Sequence, residues 1–189
     1  FHWMTDWPQP FPMLIDRATG ATITDIDGHI LDDFCLGDTG SMFGHSPAPV
    51  AAAIAAQSSR GLTYMLPSQT AFEVGALLTR TFGPFRWQIA TTATDANRAA
   101  LRVARAVTGR GKVLVFNAAY HGSVDETMVT LSNGATVAQP ALLGAPFDAS
   151  EAAVAAEFND LGSVEPALAT GDIAAILTQP VMANSCMVL

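Results

Sequence analysis

Charge is scarce in this chain. Only 14% of its 189 residues are charged, and the balance is acidic, with a net charge of −8. No basic patch is available to neutralise phosphates, which argues against nucleic acid and anionic membrane surfaces as partners. Lysine is nearly missing, and Lys112 is the only one. Cysteine is rare too. Cys35 and Cys186 lie far apart and match no metal or redox spacing, so two buried thiols in a reducing compartment are expected. No apolar run reaches the roughly 18 residues of a membrane span. The opening "FHWMTDWPQPFP" lacks the basic and apolar regions of a signal peptide. GxGxxG and GxxxxGK[ST] are both absent, which disfavours a dinucleotide or a P-loop triphosphate. The histidines show neither HExxH nor i, i+4 pairing, so no zinc site is expected.

Apolar side chains, by contrast, make up half of the chain. That supply fills a large core and leaves an excess for a domain of this size. A large subunit interface, or contact with chain outside this sequence, would cover the excess.

Residues 1–12, aromatic and proline-rich, are expected to be extended and docked. "ATITDIDGHILDDF" carries two β-prone runs around Asp27-Gly28, a strong hairpin signal. Its carboxylates Asp25, Asp27, Asp32 and Asp33 meet only part of an EF-hand pattern, and a turn with solvated acids is the better reading. "CLGDTGSMFGHSP" reads as a loop. Ser46 is expected to cap a helix running from Pro47 to Gly61, and a second helix covers Ser68 to Thr81.

After Phe85 the hydrophobic period changes. "RWQIA" reads as a short strand. An amphipathic helix then carries Ala96, Ala100, Val103 and Val107 on one side. "KVLVF" reads as a strand buried on both faces, residues 150–160 as helix, and "DIAAILTQPV" as another buried strand. The alternation implies an open, mostly parallel α/β sheet, preceded by an antiparallel hairpin segment.

Ligands of such sheets bind at the carboxyl ends of the strands. Here those ends lead into "TTATDAN", "NAAYHG" and "QPVMANS". The first opens a helix, whose unpaired N–H groups suit a phosphate, although for this turn taken alone an ordinary Thr or Asp cap is the better reading. In the second, Tyr120 can stack on a planar heterocycle beside His121, or the two can form a buried pair with satisfied polar ends. Gly122 suggests a close approach or a positive φ.

Taken in order, these turns resemble the class III (subgroup II) pyridoxal-phosphate aminotransferases, in the branch containing glutamate-1-semialdehyde aminomutase. The likeness runs through nearly the whole chain, in "GATITDIDGHILDDF", "FGHSPAPVAAAI" and "IAAILTQPVMAN". Its specific part is "TTATDANRAALRVARAVTGRGKVLVFNAAYHG", Thr91 to Gly122. The resemblance implies fold type I and pyridoxal 5'-phosphate as cofactor. Residues 1–45 would be an N-terminal segment with its hairpin, and 46–189 an incomplete cofactor-binding large domain. Thr92, Ala93 and Thr94 fall on the turn that holds the cofactor phosphate. Tyr120 falls on the aromatic that stacks on its ring, and His121 on the histidine beside it. Asn184 falls near the cofactor's phenolic oxygen. The resemblance also implies a cytoplasmic homodimer with shared active sites and a small amino-acid or amine substrate. The N-terminal aromatics and residues 61–70 are candidates for its interface.

The implied activity is transfer of an amino group between an amino acid or amine and an oxo acid or aldehyde. It needs a Schiff-base lysine and a carboxylate against the pyridine nitrogen. The family carries both on later strands, which places them beyond Leu189. No catalytic residue is therefore assigned within the chain, which is expected to be a portion of a longer protein. Lys112 falls at a helix–strand turn instead. Ala93 replaces a glycine, which would cost about 1 kcal/mol if that position needs φ > 0. Asp38 lies where many relatives carry a tryptophan at the substrate mouth, and is a candidate substrate contact or a turn cap. The altered 38–42 loop weighs against intramolecular aminomutase chemistry, which stays as one alternative. A non-catalytic relative or split partner is the other.

Overall fold

The computed structural model describes residues 13–38, 40–140, 142–144, 147–182 and 187–188. The expectations for residues 1–12, Asn184 and Cys186 lie outside the described residues. By contact density the chain forms two units that divide between Phe85 and Arg86.

The first unit opens with three antiparallel strands in spatial order, β1 (Ile15–Thr19), β2 (Thr22–Asp25) and β3 (Ile30–Asp32). The expected hairpin joins β2 to β3, with Ile23 opposite Leu31 and Gly28 at φ +88° in the turn. Asp25 organises that turn. Its carboxylate accepts the Asp27 and His29 amide hydrogens and a 2.8 Å bond with the His29 ring. The side-chain bond holds Asp25 below the ordinary carboxylate range and His29 above the ordinary imidazole range. Of the dense acids, Asp25 therefore serves the turn.

Two helices follow, α1 (Ala48–Ser58) and α2 (Gln69–Phe82). Ser46 does not cap α1. It takes a positive φ of 51°, and its hydroxyl donates to the Ala18 carbonyl, leaving Pro47 at the cap position. The second helix lies close to its expected span, after Ser68 and before Gly83. Neither helix contains a buried residue. Cys35 is exposed rather than buried.

The second unit carries the core. It holds α3 (Ala93–Thr108), β4 (Lys112–Phe116), an antiparallel hairpin of β5 (Val129–Ser132) and β6 (Ala135–Ala138), the short α4 (Ala149–Ala152), β7 (Ala153–Ala156), α5 (Leu161–Ala169) and β8 (Ile173–Leu177). A two-stranded ribbon of β9 (Val181–Met182) and β10 (Met187–Val188) completes it. The sheet is parallel in the order β7-β4-β8. In β4 the side chains alternate between two cores, as the strand period requires. Val113 and Val115 pack with Leu101 of α3, Val124 and Val129. Leu114 points to the other side, with Val164 and Ala167 of α5 and Ile173. Each fully buried Val or Leu contributes about 1.5–3 kcal/mol.

Three sequence expectations change here. Residues 150–160 are not one helix. The alanine-rich segment favours helix intrinsically, but Ala153–Ala156 pair in parallel with Val113–Phe116, and Ala153, Ala155 and Ala156 are buried. Packing against β4 overrides propensity. "RWQIA" forms no strand among the described residues, so the "TTATDAN" turn opens α3 without the strand end expected before it. Finally, α3 faces its core with Leu101, flanked by the half-buried Thr94, Asn97, Ala104 and Arg105. The expected face is open, and Val103 and Val107 are exposed. Apolar side chains lie on both sides of this helix, and its packing partner selects between them.

Candidate functional site

Helix α3 begins with a reciprocal cap. The Thr92 hydroxyl accepts the Asp95 amide hydrogen at 3.1 Å and donates to the Asp95 carboxylate at 2.8 Å. This pairing departs from a capping box in that the Asp95 carboxylate takes the Thr92 hydroxyl rather than the Thr92 main-chain N–H. Ala93 is the first helical residue and is absent from the positive-φ residues, so no strain attaches to its side chain. As first-turn groups, the Ala93 and Thr94 amides have no acceptor within the helix and carry the positive end of its dipole.

The segment after β4 supplies the second half of the site. Asn117 continues the strand into the turn. Its amide hydrogen reaches the Ala156 carbonyl, its side-chain NH2 donates to Glu157, and its side-chain oxygen accepts from Thr130 and Leu131. Ala118 then turns at φ 64° and Gly122 at φ +82°. Between them Tyr120 is about half exposed, whereas His121 is buried. The bland alternative, a buried pair with satisfied polar ends, does not hold. Tyr120 keeps an open face, and His121 Nε2 is the one buried side-chain nitrogen or oxygen without a hydrogen-bond partner among the described residues. Burial holds the His121 imidazole below its ordinary pKa, so the neutral ring is favoured.

The two halves meet. Thr94 Oγ1 accepts the Ser123 amide hydrogen at 3.0 Å, and the Asn97 side chain donates to the His121 carbonyl at 2.9 Å. Arg98 donates to the Ser123 carbonyl at 3.0 Å. Gly122 lies against Thr94 so closely that an added Cβ would overlap the threonine hydroxyl and sit 3.1 Å from its Cα. Both features suggested for this glycine, close approach and positive φ, are present. At the far end of the helix, Arg105 donates to the Gly111 carbonyl and pairs with Glu126 at 2.9 Å, fixing the turn into β4. Burial pushes the Glu126 carboxyl up, but the bonds and charge of Arg105 outweigh this and leave it below its ordinary range.

Sequence reasoning overlooked Asn97 and Arg98. Their signal was an asparagine three positions and an arginine four positions after Thr94, on one face of an alanine-rich helix. It also passed over the Asn133-Gly134 turn of the β5–β6 hairpin, where both residues have positive φ. Asp38 belongs to the first unit, is exposed, has φ 53°, and donates its amide hydrogen to Cys35 Sγ at 3.4 Å. The carboxylate that caps this loop is Asp33. It accepts from the Cys35 and Leu36 amides and bonds the His45 ring at 2.6 Å. Lys112 opens β4, at the opposite end of the strand from the 117–123 turn.

Helix-end amides, a half-open aromatic face and an unpartnered buried imidazole nitrogen suit a flat, phosphate-bearing group. Parallel α/β topology and this strand-end arrangement define a fold-type I architecture. The class-III aminotransferase profile matches residues 3–189, and the chain belongs to that family. It is 32% identical over 183 residues to the glutamate-1-semialdehyde 2,1-aminomutase of Archaeoglobus fulgidus, covering 96% of this chain and 44% of that protein. The crystal structure of a glutamate-1-semialdehyde aminomutase from Pseudomonas aeruginosa PAO1 matches with a TM-score of 0.92 and 49% identity, over 97% of this chain and 41% of that one. A variant of that protein has been solved in complex with PMP. An omega-transaminase from Sphaerobacter thermophilus matches with a TM-score of 0.85 and 28% identity, over 97% of this chain and 44% of that one. The chain thus spans less than half the length of these relatives.

Proposed function

We propose that the whole protein binds pyridoxal 5'-phosphate and moves an amino group within one small amino-acid substrate, as an aminomutase of the glutamate-1-semialdehyde type. The observation that carries the cofactor half is the contact between the first turn of α3 and the Tyr120–Ser123 turn, made by Thr94 and Asn97. The substrate half rests on the 49% identity to the Pseudomonas aeruginosa aminomutase. That likeness outweighs the altered 38–42 loop, from which the sequence alone favoured transfer between two molecules.

When bound, the cofactor supplies an electron sink for proton movement at the substrate Cα. This chain's residues hold and orient it. The Ala93 and Thr94 amides face the phosphate at a helix N-terminus. Thr92 spends its hydroxyl hydrogen on Asp95, whereas Thr94 only accepts from Ser123, so the Thr94 O–H remains beside the main-chain N–H groups as a donor for the anion. Tyr120 offers its ring face to the pyridine. His121, neutral and buried, offers Nε2 as a hydrogen-bond partner near the ring's edge. Asn184 contributes at the phenolic oxygen, and Asp38 is kept as a substrate contact from the family resemblance alone. The lysine and the carboxylate that the chemistry needs come from outside this chain.

A cytoplasmic homodimer with shared sites belongs to the same reading. Its support is the apolar surface of the first unit, where Phe34, Phe43, Met65 and Leu66 are largely exposed. No described helix is long and apolar enough to cross a membrane. The likeness to the omega-transaminase favours a second reading, transfer between separate donor and acceptor molecules.

Incubating the full-length, cofactor-loaded protein with glutamate-1-semialdehyde alone separates the two. The aminomutase reading requires the amino group to move from carbon 2 to carbon 1 without an added oxo acid. Turnover only when both an amino donor and a separate oxo acceptor are supplied would replace it with the second reading.

A further inference from the structure

The turn that carries Tyr120 and His121 has no ladder of its own. Residues 119–123 lie outside helix and strand, and two residues of the turn, Ala118 and Gly122, take positive φ. Such a segment satisfies its backbone groups elsewhere or stays mobile. Here helix α3 satisfies three of them, while the Ala119 N–H bonds the Phe116 carbonyl. Thr94, Asn97 and Arg98 stand at i, i+3 and i+4, so they project from one helix face. They engage the Ser123 N–H, the His121 carbonyl and the Ser123 carbonyl respectively. Asn97 and Arg98 thereby fix the two carbonyls that bracket Gly122, directly after Tyr120.

We propose that Asn97 and Arg98 are positioning residues for the cofactor ring. Neither touches the cofactor. Both act through the 121–123 backbone, clamping the Tyr120–His121 turn over the helix end that takes the phosphate. The inference rests on the cofactor reading above and adds a division of labour to it. Affinity for the phosphate resides in the first-turn amides, which these side chains leave alone. Affinity for the ring depends on where Tyr120 and His121 are held, which they control. Asn97 sits mid-helix, where asparagine is a poor helix former, so its donor function outweighs propensity. Arg98 is on the exposed side of the clamp, and losing it leaves no buried cavity.

The test uses full-length Asn97→Leu, Arg98→Met and Arg98→Lys variants. Amide hydrogen exchange is followed over residues 119–124 and over the β4 control 113–116. Affinity is titrated with pyridoxal 5'-phosphate, and inorganic phosphate is used as a competitor. Loss of a clamp bond should speed exchange at 119–124 about tenfold and leave the β4 control unchanged. Pyridoxal phosphate affinity should fall about tenfold, with the inorganic phosphate constant within about threefold of the parent and Arg98→Lys partly restored. Unchanged exchange at 119–124 overturns the clamp. Faster exchange with unchanged pyridoxal phosphate affinity, or an equal loss of inorganic phosphate, overturns its role in placing the ring. If Asn97→Leu does not fold, the Arg98 pair decides the matter alone. A parent protein that binds no pyridoxal phosphate strikes the cofactor reading itself, and the exchange measurement still judges the clamp separately.

Discussion

Gly122 and Thr94 are in direct contact across the candidate site, with no room for a side chain on the glycine. This fixes the distance between the turn bearing Tyr120 and the start of α3. At φ +82° the backbone also occupies a region that other residues enter at a cost. Gly122→Ala therefore meets both strain and collision. It is expected to destabilise the protein by about 1–3 kcal/mol, read as a lower urea midpoint, and to weaken pyridoxal phosphate binding. An unchanged midpoint would show that the turn yields freely.

Thr94 acts here through its oxygen. It accepts the Ser123 amide hydrogen, and no other acceptor for that group is described. Thr94→Val keeps the shape and removes the acceptor, so it should cost about 1 kcal/mol. Thr94→Ser keeps the acceptor and should stay within about 0.5 kcal/mol of the parent. Equal behaviour of the two in denaturant titrations would assign Thr94 to packing.

His121 gives stability a defined pH dependence. Its folded pKa is depressed by burial below the ordinary 6.5. Above 6.5 the ring is neutral in both states and adds no slope. As pH falls through 6.5 the unfolded chain takes up a proton that the folded protein resists, so stability declines until the lower folded pKa is passed. His29 works oppositely, because its bond with Asp25 raises its pKa, and that contribution is lost as pH rises through the folded value. Urea midpoints of parent and His121→Gln between pH 8 and 5 isolate the first effect. The variant should lose part of the acid-side decline, and parallel curves would contradict the burial argument.

Lys112 cannot stand in for a cofactor-linked lysine. It opens β4, while the site lies past the other end of that strand. The 189-residue chain, mixed with amino donor, acceptor and pyridoxal phosphate, should show no turnover above the cofactor alone. Lys112→Arg in the full-length protein should leave the rate within about twofold. A tenfold loss in that variant would demand a different placement of the site.

Much of this protein was written in local pattern. The Asp27-Gly28 hairpin, helix α2, the doubly buried "KVLVF" strand and the strand-end location of Tyr120–Gly122 follow from periodicity, turn chemistry and the rule for parallel sheets, whereas Thr92–Thr94 open α3 with no strand before them. The family likeness is carried by the same residues. Those signals are local because they depend on dihedral preference and on the spacing of apolar side chains within a few residues.

What tertiary structure alone decided is which of two competing local preferences prevailed. The alanines at 153–156 became a strand because β4 offered a ladder edge. Ser46 gave up its cap to bond Ala18. Helix α3 turned Leu101 inward and left Val103 and Val107 open. The joining of Thr94 and Asn97 to the 121–123 backbone is of the same kind, since two segments more than twenty residues apart in sequence meet only once the sheet has packed against its helix. Propensity differences are a few tenths of a kcal/mol per residue, and a buried contact or a satisfied backbone group is worth more.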